Sequence, residues 1–379
     1  MSADTGSDGT AASRTSRRAV ITAAGTGIVG LSGCLGGNTD TTAGNETGGT
    51  AGEMSTGETL RVSTWSGTNE EVFRQEIKPL YEEQTGNTLE VIGNWANILS
   101  QIRAAPADDP PFDLTLVGDK DHYFGVQEDL WEPFDIDTLE NRDLIKSNLL
   151  REDPVSVPLC YGVTCAVYDQ DAVDFELGSW NEIASQASNV SLPGSFFTNA
   201  LQMAALAADE MPADEELYDE SGHDVIFETL RGIDTAQYYS SPGDMWPAFS
   251  NDLVDLGQYF YAYSAKKIET TDTDTNFGIH VPEQTTGYTD DYHIVRGTQN
   301  KALAKEFLDF MLTEEVQTTY AQNFNLGMAN PETNYPDATQ ENVPLSDDEL
   351  ENVSFIQYAD IAEYSDNLSN RFTEIKQGI

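Results

Sequence analysis

Three cysteines and four histidines carry the readiest nucleophilic and metal-binding chemistry in this 379-residue chain. His122, His223, His280 and His293 are scattered, with no ligand spacing between them, and read as packing or surface residues. Cys160 and Cys165 lie in Pro158-Leu159-Cys160-Tyr161-Gly162-Val163-Thr164-Cys165. On one extended segment their side chains face opposite sides, so a disulfide needs a bend at Gly162. No partner residues with metal-ligand spacing accompany them. Gly25-Thr26-Gly27-Ile28-Val29-Gly30 matches a dinucleotide-loop pattern, but no strand precedes it. HExxH, P-loop and nucleophile-elbow patterns are absent. The expectation is a protein without catalysis, metal or cofactor.

Cys34 stands apart. It closes Leu31-Ser32-Gly33-Cys34, after Arg17-Arg18 and a short uncharged run rich in Ala, Gly and Val. A twin arginine ahead of such a run has the form of a Tat export signal. The run is too short to span a bilayer comfortably. Leu-Ser-Gly-Cys has the form of a lipobox, whose cysteine is lipidated and becomes the first mature residue. Residues 1–33 are thus read as the signal and Cys34 as an anchor that must be diacylated, because one chain alone holds weakly. Residues 34–58 are almost wholly Gly, Thr, Ala, Asn and acids. They cannot bury enough apolar surface to order themselves and read as a flexible tether. The expected location is the extracellular face of the cell membrane. Sequons at Asn45, Asn189, Asn352 and Asn367 fit an exported protein.

The charge is extreme: 65 acids against 19 bases, a formal net charge of −46. Removing residues 1–33, with Arg14, Arg17, Arg18, Asp4 and Asp8, leaves −47. Phosphate binding needs basic patches, so a nucleic-acid partner is excluded. Disorder, the other usual reading of such charge, conflicts with the wealth of aromatic and aliphatic residues after residue 60. In concentrated salt the Debye length falls to a few Å and self-repulsion is screened. A haloarchaeal cell surface fits both the acidity and the export signal. The acidic run at 209–220 then reads as solvated surface, since its spacing does not follow an EF-hand loop.

These features need a scaffold, and the chain alternates strands with helices, an α/β pattern. Leu60–Thr64, Leu89–Ile92 and Phe112–Val117 read as strands. Between the first two, Asn69 is placed to cap a helix whose apolar face carries Val72, Phe73, Ile77, Leu80 and Tyr81. Pro79 should kink or divide it, and Thr85-Gly86 should end it. Strand, helix, strand implies a parallel sheet with right-handed crossovers.

Trp65-Ser66-Gly67, the helix ending at Gly86, and Phe112-Asp113-Leu114, taken with the later segments, resemble the solute-binding proteins of ABC transporters, closest to the spermidine/putrescine- and iron-binding groups. Val157-Pro158-Leu159-Cys160-Tyr161-Gly162-Val163-Thr164 is similar to the family's lobe crossover, and Ser179-Trp180-Asn181-Glu182-Ile183 to a helix start. Leu256–Tyr261, Tyr288–Ile294 with Asn300–Ala304, and Phe307–Leu312 follow in the family's order. The resemblance covers roughly residues 60–330. It implies a two-lobed, type II periplasmic-binding-protein-like fold with the ligand in a cleft between lobes. Lobe one would be 59–161 plus 282–330, lobe two 166–276, and 331–379 C-terminal helices on the back. The outward crossing falls near 160–166 and the return near 262–281. The implied partners are a small-molecule solute, an ABC permease and its ATPase subunit, with the receptor monomeric and tethered to the membrane.

The same resemblance implies the site. Trp65 would be an aromatic wall, Phe260, Tyr288 and Tyr161 further cleft aromatics, and Asp290 the carboxylate that polyamine binders pair with an amine. Asp119, after the third strand, would face the cleft too. Tyr288 and Asp290, two apart, share one side of an extended segment, whereas Asp291 faces away and should tolerate change to Asn. Aromatic faces with a neighbouring carboxylate suit a desolvated ammonium. The chain departs from polyamine binders in having Phe197, Thr198 and Asn199 where they carry an Arg and an acid, and Gly67 where they carry a carboxylate. A smaller amine or another polar solute is therefore as open as a polyamine. Ferric iron, bound by Tyr238, Tyr239, Tyr259, Tyr261 or Tyr263, is the alternative ligand, although tyrosines alternating along a strand point to both sides. A secreted enzyme on a similar two-lobe fold and an adhesive surface protein are the remaining classes.

Two outcomes are expected from the sequence alone. Cys34→Ala should move the protein from the membrane fraction into the medium, and continued retention would contradict lipidation. Dilution from multimolar salt to ~10 mM should unfold or loosen the domain as screening is lost. An unchanged near-UV circular dichroism signal would contradict that.

Overall fold

The computed structural model describes residues 57–151, 153, 155–208, 215–241, 243–270 and 275–378. The export segment, Cys34, nearly all of the tether and the first half of the acidic run lie outside the described residues. No helix among the described residues is long and apolar enough to cross a membrane.

In chain order the strands are β1 (Thr59–Trp65), β2 (Thr88–Asn94), β3 (Leu114–Gly118), β4 (Ser156–Asp169), β5 (Val190–Pro193), β6 (Thr235–Tyr239), β7 (Leu256–Phe260), β8 (Phe277–His280), β9 (Thr285–Ile294), β10 (Gly327–Met328) and β11 (Val353–Phe355). Their order is β2-β1-β3-β9-β4-β7-β5-β6, with β8 and β10 on β4 and β11 on β9. β1 runs parallel to β2 and β3, as the alternating pattern requires. Helices cover both faces of this first half. Phe73, Ile77, Tyr292, Phe307 and Tyr320 fill one side, and Ile98, Leu99, Val117, Trp131 and Val295 the other. The fold class is α/β with two sheet halves, in agreement with the sequence.

The first helix shows how Pro79 is accommodated. Residues Thr68–Val72 are α-helical, Phe73–Ile77 π-helical and Lys78–Thr85 α-helical again. Proline lacks an N–H and crowds the preceding turn, and the wider π turn just before it relieves both problems without breaking the helix. Asn69 does not cap this helix; the N-cap is Gly67, at φ 88°, a region that costs glycine nothing. Asn69 lies within the first turn, where its Oδ1 accepts from Thr64 Oγ1 at 2.6 Å and its amide donates to Tyr320. Gly86, at φ 73°, ends the helix as expected. At Ser179 the helix start is a full capping box with Glu182.

β4 joins the two sheet halves. Its residues 156–163 pair with β9, and 164–168 pair with β7. Cys160 and Cys165 sit on this one strand as buried free thiols. The return passage follows His280, because β8 still pairs with the second half of β4 while β9 pairs with the first. At the junction Thr164 Oγ1 and Thr286 Oγ1 are 2.6 Å apart, and Thr285 Oγ1 donates to the Thr164 carbonyl at 2.9 Å.

Residues after 331 do more than add helices. β11 pairs parallel with Thr285–Gly287 of β9. The helix Tyr358–Ile361 packs on Asp119–Gln127, and the helix Ser365–Lys376 packs on His223–Gly232 beside the second sheet half. There Arg371 pairs with Asp224 at 2.6 Å and lies 4.1 Å from the Phe227 ring centre. The chain thus crosses between the sheet halves a third time.

Candidate functional site

β9 runs through the junction, and its pleat sends alternate side chains to opposite faces. Tyr288, Asp290 and Tyr292 take one face; Thr289, Asp291 and His293 take the other. Trp65 ends β1, and its indole Nε1 donates to Asp290 Oδ2 at 3.0 Å. Asp290 is 8% exposed. No Lys or Arg among the described residues pairs with it. Burial is the main cause that pushes its carboxyl up to about 7; the adjacent Asp291 adds to this and the Trp65 N–H opposes it. Burial, and then Asp290, also raise the Tyr288 hydroxyl well above the ordinary tyrosine range.

The aromatics continue into the second half. The Tyr288 ring lies over Gly162, where a Cβ would stand 2.4 Å from it, so β4 needs glycine there. Phe260, at the end of β7, meets Tyr288 edge-on at 5.0 Å between ring centres. Phe196, just before the helix Phe197–Ala208, lies 6.2 Å beyond Phe260. On the other flank Trp95, following β2, stands 5.8 Å from Trp65 and is 63% exposed. A row of Trp95, Trp65, Asp290, Tyr288, Phe260 and Phe196 therefore runs from one sheet half to the other. Trp65, Tyr288, Asp290 and Phe260 were expected together, and the structure brings them together. Trp95 and Phe196 were missed. Trp95 carried a signal, since it follows β2 as Trp65 ends β1, and strand ends of this topology face the ligand crevice.

Two expected members lie elsewhere. Tyr161 stands opposite Thr289, on the other face of the ladder. It is fully buried, its hydroxyl donates to the Pro344 carbonyl at 2.8 Å, and its ring meets Phe355. The cation at its ring is the protein's own: Lys146 Nζ is 5.6 Å from the ring centre and donates to the Met328 carbonyl at 2.8 Å. Burial lowers the Lys146 ammonium to about 8. Asp119 is also spent within the protein, accepting from Arg151 Nη1 at 2.5 Å and from the Tyr358 N–H at 2.6 Å.

Arg151 organises that second face. Its Nε donates to Asp291 Oδ2 at 2.5 Å and its Nη2 to Thr289 Oγ1 at 3.0 Å. Burial alone would favour neutral arginine, but Asp291 and Asp119 hold the guanidinium firmly charged. Asp291 is therefore not free to change: Asn there would leave a buried cation short of a partner. His122 bridges His293 and Asp153 at 2.8 and 3.0 Å. A cavity of about 600 Å³ opens here, lined by Asp119, Arg151, Thr289, Phe355 and Tyr358 among others. Here Asp119 and Asp291 share the Arg151 guanidinium, Asp119 also accepts the Tyr358 N–H, and Asp153 meets His122. On the opposite face the Asp290 carboxyl meets no cation among the described residues.

The iron alternative finds little geometry. Tyr259 ends in β7, but Tyr261 and Tyr263 lie on the helix Tyr261–Thr270, so the three do not alternate along a strand. The Tyr239 and Tyr261 hydroxyls donate to the carbonyls of Gln258 and Ala338. Among the described residues, no three His, Cys, Asp or Glu side chains gather as metal ligands.

The buried Asp290 carboxyl sets a pH dependence. Its pKa is near 4 in the unfolded chain and about 7 in the folded one. Between those values the folded state holds a proton that the unfolded state lacks, so this group's contribution to stability falls as pH rises from about 4 to 7. Asp290→Asn keeps an acceptor for Trp65 and removes that cost. The solute-free variant should be more stable than wild type at pH 8, by at most about 4 kcal/mol. The gain should shrink towards zero near pH 4.5. Thermal unfolding at both pH values checks this, and a variant less stable at pH 8 would contradict it.

The family model for bacterial extracellular solute-binding proteins matches residues 78–346. No curated relative matches the chain. Among solved structures, an ABC transporter protein from Clostridium perfringens is 21% identical, with 84% of this chain and 99% of that one covered and a TM-score of 0.70. The spermidine/putrescine substrate-binding protein PotD from Streptococcus pneumoniae is 16% identical, with the same coverage and a TM-score of 0.68. A Bordetella ferric binding protein is 16% identical, again covered 84% and 99%, with a TM-score of 0.66. The two sheet halves, the strands that join them and the matched length agree: the chain belongs to the bacterial extracellular solute-binding protein family.

Proposed function

We propose that this protein is a lipid-anchored extracellular receptor that captures a small cationic solute between its two lobes and hands it to an ABC permease and its ATPase subunit. The observation that carries the charge of the ligand is the Asp290 carboxylate, buried against Trp65 with no basic side chain beside it. A buried carboxylate without a counter-ion is costly, and a bound cation removes the cost. The rings around it favour an organic cation, because aromatic faces attract such groups at about 0.5–2 kcal/mol each. Closure is a hinge motion about β4 near 163–164 and the return after His280. The C-terminal passage through β11 is a third strap on that hinge. No step of this role is catalytic.

Anchoring rests on the Leu31–Cys34 sequence and the low-complexity tether, and the halophilic setting rests on the charge. A polyamine is among the cations considered, as in the similar pneumococcal protein. At the start of the lobe-two helix, however, this chain offers Phe197, Thr198 and Asn199 rather than acids. A thermal-shift screen in high salt against polyamines, small amines, quaternary amines and ferric iron tests the reading. A ligand at 100 times its Kd adds about 2.7 kcal/mol of stability. Asp290→Asn should weaken the bound cation by about 10–100-fold through loss of its buried counter-charge, and Trp65→Ala should weaken it through lost stacking. An anionic solute, or a cation whose affinity ignores Asp290, would overturn the proposal.

A further inference from the structure

Resting on the cation-receptor reading, we infer that the site prefers a compact, weakly hydrated monocation of the quaternary-ammonium type, and that Trp95 sets this preference by covering the bound cation. Trp65 and Tyr288 flank the Asp290 carboxyl, which pairs with no Lys or Arg among the described residues, and Phe260 and Phe196 extend the ring surface. A primary diamine carries N–H donors at two ends and needs hydrogen-bond acceptors at both. The row supplies one carboxylate, and beyond it only rings. A quaternary ammonium has no N–H to satisfy. Its charge is spread over methyl groups, which aromatic faces bind well, and one carboxylate balances it.

Trp95 has the construction of a cover. The loop that carries it is pinned at its base. Asn94 Nδ2 donates to Ser63 Oγ at 3.0 Å, Gln101 Nε2 donates to Asn94 Oδ1 at 2.8 Å, and the Ser66 N–H donates to the Asn94 carbonyl at 2.9 Å. Asn97, at φ 65°, turns the chain sharply into the next helix. The side chain between these points is held only loosely: its ring contact is the edge of Trp65, and it is 63% exposed. Of the large apolar side chains exposed among the described residues, Trp95 is the one that touches the row. A rotation about its own side-chain bonds would bring the indole over a cation at Trp65, burying its apolar surface and adding a ring face at once.

Titration calorimetry of the full chain in high salt tests this with three probes: choline, its uncharged isostere 3,3-dimethyl-1-butanol, and putrescine. Choline should bind at least about tenfold tighter than either of the others. Trp95→Ala should lose about fivefold or more of the choline affinity, and Trp95→Phe should keep most of it. Because Trp95 is exposed, neither change should alter the unfolding temperature of the solute-free protein. Putrescine binding as tightly as choline, or choline affinity unchanged in Trp95→Ala, overturns this inference; if Asp290→Asn still weakens cation binding, the cation-receptor reading survives. If no cation binds wild type, or wild type and Asp290→Asn bind cations alike, both readings fall.

Discussion

The antiparallel pairing of β4 with β9 is the constraint on which the rest depends. β4 continues from that ladder into the second sheet half, and the pleat of β9 sorts the charged residues by face. Asp290 and Asp291 are neighbours in sequence with opposite fates. Asp291 meets Arg151, which also binds Asp119 and Thr289, so that carboxylate has a cation of the protein's own. Asp290 meets an indole N–H and aromatic rings, and no cation. Buried charges are normally paired. The contrast across a single strand therefore points to one carboxylate kept for a ligand and one kept for the fold.

That arrangement links stability to function. Arg151 fastens the loop before β4 to β9 and to the helix Asp119–Gln127, while the Tyr358 N–H brings the C-terminal passage to the same carboxylate. The back of the hinge is thus over-determined by charge. On the front, Asp290 meets no cation among the described residues, and in the proposed role a solute completes it. Tyr161 and Lys146 show the same economy on the back face: a ring that would suit a ligand cation is taken by the protein's own ammonium.

Much of this was legible in the sequence. The early strands and the helix between them followed from apolar spacing, and the helix start at Ser179, which the structure shows as a capping box, from the family resemblance. Tyr288 and Asp290 came from the family resemblance, and their separation of two put them on one side of the strand. Tyr161 was assigned to the cleft wrongly, because its face depends on the β4–β9 register, which shifts between Pro158 and Cys160. Asp119 was misread because Arg151, its partner, is 32 residues away, and nothing local announces that pair. Trp95 was passed over although its position after β2 mirrors that of Trp65. The third crossing was hidden because β11 is three residues long and takes its identity from β9.

The central claim is that Asp290 is the counter-charge for the bound solute. With its carboxyl near 7 in the solute-free protein, a bound cation must pull that value down and expel the remaining proton. Calorimetric titrations at pH 7, in two buffers of different ionisation enthalpy, count the protons released on binding. Release of about half a proton per solute, abolished in Asp290→Asn, is the result expected. Binding with no proton exchange, or with proton uptake, would contradict the account.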